Sequence, residues 1–443
     1  MRVLVAVAFL ATGLFVGAAP SLAGAGTAAA SPGPIVQMDL ASALKIAETN
    51  NLAYRAALAD ERAAAARVVQ AIGAHLPSFS ASYARQHTQS AGAFIIPSPK
   101  GPVRIPISAT NYDNVQETLQ WAIYSGGAIE AGVGQASAGY AAAKSELAAS
   151  HADVIDDTTS AYFTLLGARK RADIADQAVA VAQDDLKTAQ QLFDAGTAAR
   201  ADVLREQVTL SNAQLQQVQA DNEAALANAN LANLLNVDLG SDIDTTEKLE
   251  APAPPFSLDE VLSDAHQRRP EIAASQSAVT IAQDAVRASR AGTLPTLALQ
   301  IQNAGLTPNF ENIPQPQLSE TLSVTWKLFD GGLTHGKVAE AQADVDKAQI
   351  NLQQLENGVD LEARRAYLNY VAAQSALAAA RTGQQSADEN LRVTRIRYRA
   401  GVGTSLELSD ALLSDTQARV QFVTAQANLR SSLVTLERAA GLL

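Results

Sequence analysis

Residues able to do covalent or metal chemistry are sparse in this 443-residue chain. It has no cysteine, which removes thiol catalysis, thiolate metal sites and a lipid-bearing N-terminal cysteine. The five histidines, His75, His87, His151, His266 and His335, lack the i, i+4 spacing and the acidic or cysteine company of a metal site, so solvated or structural roles account for them. No nucleophile and base stand out as a pair. Val402-Gly403-Thr404-Ser405 lacks the G-x-x-x-x-G-K-[ST] pattern of a phosphate loop and its lysine. What remains are three acids that follow glycine turns: Asp202 after Gly196, and Glu407 and Asp410 after Gly401. Thr404-x-x-Glu407 fits a capping box, and Asp202 suits the positive end of a helix; Asp410 lies further along. The expectation is a protein that is not an enzyme and uses no cofactor or metal.

The elements that carry these acids are written twice. Leu40 to Pro77 recurs as Leu258 to Pro295, 218 residues on. Trp121, Gly126-Gly127, Ala161-Tyr162 and Ala195-Gly196 recur as Trp326, Gly331-Gly332, Ala366-Tyr367 and Ala400-Gly401, 205 residues on. The first copy therefore holds 13 extra residues between Pro77 and Trp121. Boundaries follow at 38–235 for the first copy and 258–441 for the second. Between them, 236–257 reads as a linker or girdle, with Asp-Thr-Thr-Glu and Ala-Pro-Ala-Pro-Pro, and 24–37 reads as a second irregular segment.

Each copy reads as helix, hairpin, long helix, tight turn, helix. Val133, Tyr140, Leu147, Val154 and Ala161 repeat every seven residues, as do Val338, Val345, Leu352, Val359 and Ala366, which is the seam of a coiled coil. Long helices are expected over 128–193 and 333–398, each ~100 Å at 1.5 Å per residue. Tips at 194–200 and 399–404 would stop them, with helices at 201–235 and 405–440 returning.

In the hairpins, 78–124 and 296–329, the period changes to two. Phe79, Ala81 and Tyr83 alternate with serines, and Val115, Leu119, Trp121 and Ile123 alternate with amides and hydroxyls, broken by Glu117. Leu297, Leu299 and Ile301, and then Leu322, Val324, Trp326 and Leu328, repeat the pattern. One apolar and one polar face suit a strand between lipid and a wet lumen, although a soluble sheet packed on a helix alternates likewise. The only two tryptophans, Trp121 and Trp326, occupy equivalent places near the helical end, where an interfacial girdle would hold them. Four strands cannot close a barrel, and open edges cannot lie in hydrocarbon, so several chains would share one. The loops His87 to Asp113 and Ala304 to Gln317 would face outward.

Met1 and Arg2, an apolar run from Val3 to Ala19, and Ser21-Leu22-Ala23 read as an export signal over 1–23, cleaved after Ala23 or, in competition, Ala30. The formal charge of −12, with scattered basic residues, argues against nucleic acid.

Order, duplication and lengths together resemble the TolC-type outer-membrane efflux proteins. The most specific segment is Tyr398-Arg399-Ala400-Gly401-Val402-Gly403-Thr404-Ser405-Leu406-Glu407-Leu408-Ser409-Asp410-Ala411, similar to that family's Y-x-x-G-x-x-x-x-x-[DE]-x-x-D-A turn. The resemblance implies a mainly α fold with a small β part: a homotrimer whose twelve strands form one outer-membrane barrel above a periplasmic α-barrel. Its partners would be a periplasmic adaptor, an inner-membrane RND, ABC or MFS pump, and outer-membrane lipid. Asp202, Glu407 and Asp410 would line a constriction with Gly196, Gly401 and Gly403, and Ala195, Gly196, Tyr398, Ala400, Gly401 and Thr404 would meet the adaptor. Well-studied members of that family carry a basic residue where this chain has Gly403, leaving Arg399 or Arg200 to substitute. The competing expectation is a soluble periplasmic coiled-coil scaffold or adaptor-like interaction protein.

Overall fold

The computed structural model describes residues 35–88, 93–106, 110–247, 249, 257–307 and 317–443. The expected export signal and most of the N-terminal irregular segment lie outside them. In chain order the elements are β1 (Ile35–Met38), α1 (Leu40–Asn50), α2 (Leu52–Gly73), β2 (Ser78–Thr88), β3 (Ala93–Ile96), β4 (Val103–Pro106), β5 (Thr110–Tyr124), α3 (Ala128–Asp194) and α4 (Arg200–Leu234). They continue with β6 (Asp242–Thr245), α5 (Leu258–Arg268), α6 (Pro270–Arg290), β7 (Thr296–Thr307), β8 (Gln317–Thr325), α7 (Leu333–Arg399) and α8 (Ser405–Ala439).

Both long helices have 67 residues, and their starts share one device. Gly126-Gly127 and Gly331-Gly332 take φ of 69°, 90° and 70°, 90°, a left-handed pair that turns a strand into a helix at little cost only in glycine. The residue just before each pair then caps the helix. Ile129 N donates to Ser125 Oγ (3.0 Å) and Thr334 N to Asp330 Oδ2 (2.9 Å). Along α3 and α7 the seven-residue seam is half-buried near the strands and fully buried at Val154, Ala161, Val359 and Ala366.

The helix before each hairpin is broken in two. Asn51 caps α2 by accepting from Ala53 N and Tyr54 N, and Arg269-Pro270 starts α6 with a proline that has no N–H to lose. Near the strands α3 packs between α2 and α6, and α6 on α7; towards the tip α3 packs between α4 and α8, and α8 on α7. The two helices of each copy therefore lie side by side in the wall, and the copies meet where α3 packs on α6 and α8.

The segments read as irregular are partly ordered. Residues 35–38 and 242–245 pair as parallel strands β1 and β6, so the linker and the N-terminal segment build a girdle together. Met38 and Ile243 are buried there, Tyr162 Oη donates to the Met38 carbonyl (2.9 Å), and Arg169 binds Asp242. The first hairpin also departs from expectation. Its ladder runs out to Thr88 and Thr110, and within the expected loop β3 and β4 pair across a turn in which Gly101 N donates to Ser98 O (2.9 Å) with φ of 106°. The second hairpin ends at Thr325 rather than 329, because β7 begins at Thr296 and Pro295 before it offers no donor to continue the ladder.

At the girdle, Arg438 of α8 is 8% exposed and binds Asp153 of α3 and Glu271 of α6, at 2.6 and 2.5 Å. Burial would raise the Glu271 carboxyl, but hydrogen bonds from Arg269 and Arg438 outweigh it and hold the group down at about 2. That stabilisation is complete above the ordinary carboxylate range and is lost as pH falls from about 4.5 through about 2. Arg438→Met takes one partner from each acid, leaving Glu271 to Arg269 and Asp153 to solvent, and is expected to cost about 1.5–3 kcal/mol near neutral pH. Thermal unfolding should show a lower midpoint for the variant, with the deficit shrinking as the solution is acidified below pH ~4.

Candidate functional site

Two regions collect the predicted functional residues: a sheet at one end of the long helices and the two turns at the other. The sheet has the order β2-β5-β7-β8, all antiparallel. Its register places Phe79 opposite Leu119, Tyr83 opposite Val115, Trp121 opposite Leu299, and Leu299 opposite Leu322. Cross-strand partners share a face, so the four apolar sets form one continuous side. Ser80, Thr118, Gln302 and Ser319 line up on the other side in the same way.

The apolar side is bare. Phe79, Tyr83, Leu318, Leu322 and Val324 are 54–70% exposed. Glu117, the interruption noted in the sequence, accepts from Asn303 Nδ2 (3.2 Å) on that same side, and Glu320 stands there too, opposite Ile301. Neither β2 nor β8 has a second partner among the described residues. The two tryptophans do the same job: Trp121 Nε1 donates to the His75 carbonyl (2.9 Å) and Trp326 Nε1 to the Thr293 carbonyl (3.0 Å). Donors and acceptors are themselves repeat-equivalent, so each indole pins the helix-to-strand corner of its own copy. Trp326 does so from one residue beyond its strand.

At the far end both turns close as Schellman motifs. Gly196 and Gly401 have φ of 75° and 74°; Thr197 N donates to Leu192 O (2.9 Å) and Val402 N to Arg397 O (3.0 Å). Asp202 caps α4 by accepting from Ala199 N (3.1 Å), and its other oxygen accepts from Ser405 Oγ (2.6 Å) of α8. Glu407 forms the capping box with Thr404 and stands 3.9 Å from Arg397. Asp410 is exposed on α8 and makes no hydrogen bond or ion pair with the described residues.

Gly403 sits against the end of α7, where a Cβ would come within 3.0 Å of Tyr398 N. Of the two arginines considered as substitutes for a basic residue there, Arg399 binds Asp184 of α3 (2.6 Å), while Arg200 is exposed at the start of α4. Among the expected adaptor-facing residues, Ala195, Gly196, Ala400, Gly401 and Thr404 are exposed. Tyr398 is not. It is 5% exposed and packs in the tip core with Leu391, Leu408 and Leu412, because the turn folds the start of α8 back over it.

Sequence reasoning missed the buried charges behind the turns. Asp185 of α3 is 1% exposed and binds Arg395 of α7 (3.2 Å); Glu206 of α4 is equally buried and accepts from Ser409 Oγ (3.1 Å) of α8. Burial raises the Asp185 carboxyl despite Arg395 and pushes Glu206 up to about 7. The i, i+4 pair Arg395 and Arg399 and the adjacent Asp184 and Asp185 are the only local signal, and nothing local says that they meet.

The family model for outer membrane efflux proteins matches residues 43–237 and 261–442, both copies of the repeat, and the chain belongs to that family. It is 29% identical over 334 residues to the protein CyaE of Bordetella pertussis, covering 73% of this chain and 69% of that one. To the outer membrane protein TolC of Escherichia coli it is 26% identical over 321 residues, covering 64% and 62%. Among solved structures, the CmeC outer membrane channel of Campylobacter jejuni superposes with a TM-score of 0.80 at 19% identity, over 91% of this chain and 85% of that chain. The family consists of outer-membrane channel proteins rather than enzymes, and it places the chain in the outer membrane with its helices in the periplasm. No helix among the described residues is long and apolar enough to cross a membrane.

Tyr398 offers a check on the tip. Its hydroxyl is buried with no partner, so Tyr398→Phe should leave thermal stability unchanged or raise it slightly, whereas Tyr398→Ala should cost about 3–5 kcal/mol through the cavity left. Equal, negligible effects of both would put the ring on the surface.

Proposed function

We propose that three copies of this chain close into a passive conduit, with twelve strands forming one outer-membrane barrel and the helices forming a periplasmic tunnel that ends at the two turns. The observation that carries this reading is a four-stranded sheet that, among the described residues, has two unpaired edges and one bare apolar face. A sheet in hydrocarbon must have every backbone group paired, and β2 of one copy meeting β8 of the next satisfies both edges. The helical wall supports the same closure. Leu204, Val208, Leu215 and Leu226 are exposed along α4, and Ile350, Leu361, Leu368 and Ile396 along α7, the two helices at opposite margins of the wall near the tip.

The conduit works with a periplasmic adaptor and an inner-membrane pump of the RND, ABC or MFS type, in efflux or in type I secretion. A third relative, the alkaline protease secretion protein AprF of Pseudomonas aeruginosa, is a secretion component by its name; it is 26% identical over 264 residues, covering 56% of this chain and 55% of that one. The sheet's bare face also weighs against the soluble periplasmic scaffold, since such a surface invites aggregation in water. Trp121 and Trp326 mark the membrane interface in this reading, and the exposed tip residues Ala195, Gly196, Ala400, Gly401 and Thr404 meet the adaptor.

Reconstituted in planar bilayers, the protein should give discrete conductance steps; persistent silence from protein that fractionates as soluble contradicts the conduit. Asp410 and Glu407 are exposed at the tip, Glu407 while capping its own helix beside Arg397, whereas Asp202 is half-buried and bound across to Ser405. The double variant Asp410→Asn, Glu407→Gln should therefore lose cation preference, read as a reversal potential moving towards zero in a salt gradient. An unchanged potential removes both acids from the lumen.

A further inference from the structure

Glu206 lies where the two copies cross at the tip. Its Oε1 accepts from Ser409 Oγ of α8 (3.1 Å), and its Oε2 is buried with no partner. The groups facing it come from every neighbouring element: Asp185 from α3, Asp202 and Arg205 from α4, Tyr398 from α7 and Ser409 from α8. The nearby cation Arg395 is engaged by Asp185. The Tyr398 hydroxyl in the same core is likewise unpartnered. Ser405 to Asp202 (2.6 Å), Ser409 to Glu206 (3.1 Å) and Thr209 to Ser409 (3.3 Å) form a short ladder of hydroxyl bonds that fastens α4 to α8, helices that otherwise touch little.

We infer that Glu206 is a proton-operated latch of the tip: carrying a proton it fits the dry crossing and holds α4 on α8, and ionised it demands water and loosens them. This rests on the reading of the two turns as the end of a tunnel. The physical reason is the cost of a carboxylate with no cation bound to it in a site closed to solvent, beside two further acids. Burial places the closed-state carboxyl at about 7, while in a parted tip it would return to its ordinary value near 4.5. Between those values the closed state binds more protons than the open one, so closing is favoured as pH falls through the window and opening as pH rises. Above about 7 both states are ionised and the penalty on the closed tip is complete; below about 4.5 both are protonated and the dependence ends. Across the window the open-to-closed ratio should change by more than tenfold.

Gln207 of α4 and Leu413 of α8 are exposed, lie outside the apolar stripes of α4 and α7, and suit paired spin labels after substitution to cysteine in this cysteine-free chain. In full-length protein diluted with unlabelled copies, the distance between them should be short and narrow at pH 5 and should lengthen or broaden by pH 8. Glu206→Gln, which keeps the shape and cannot ionise, should stay short at both. Ser409→Ala removes the hydroxyl that steadies the carboxylate, so its transition should move to higher pH. A flat profile in the unmodified tip, or a Glu206→Gln variant that still responds to pH, overturns the latch. Bilayer recording at both pH values separates the two ideas: silence throughout counts against the conduit, while the label distances still decide the latch.

Discussion

A backbone N–H or C=O group in hydrocarbon has to find its partner within the protein, and that constraint governs this chain more than any side-chain contact. Four antiparallel strands satisfy each other internally and, among the described residues, leave two rows of groups open, one on β2 and one on β8. The alternation of the strands adds a second demand, since it turns most of the large apolar residues to one side, which no described element of the same chain covers. A single copy meets neither demand. Joining chains edge to edge meets both, and the duplication supplies two equivalent hairpins, the first with the longer loop, from which such a ring can be built.

The duplication was legible because periodicity survives divergence: a seam every seven residues and glycine pairs at fixed distances are needed by each copy to build the same parts. The left-handed φ values at Gly126-Gly127, Gly331-Gly332, Gly196 and Gly401 explain why these glycines stand out. The two indoles are a further case. Their spacing was visible in the chain, but their hydrogen bonds to His75 and Thr293 were not, since those depend on where each preceding helix stops.

Features that depend on chain segments far apart were not legible. The girdle pair β1 and β6 joins residues some two hundred positions apart through strands of four residues each, too short to leave a period. The burial of Tyr398 follows from the way α8 folds back, and the acids Asp185 and Glu206 look in sequence like ordinary polar residues on long helices. Only the packing of α3 between α4 and α8 encloses them. The tip is thus held from within by buried charge and hydroxyl bonds between copies, while Asp410 beside it is left to solvent.

Sharing of sheet edges between copies is the claim on which the conduit stands, and the mass of the detergent-extracted protein measured under native conditions tests it most directly. The account predicts a mass of three chains that persists on dilution, because separating the copies would expose both strand edges and the apolar stripes of α4 and α7. A stable species with the mass of one chain would contradict it.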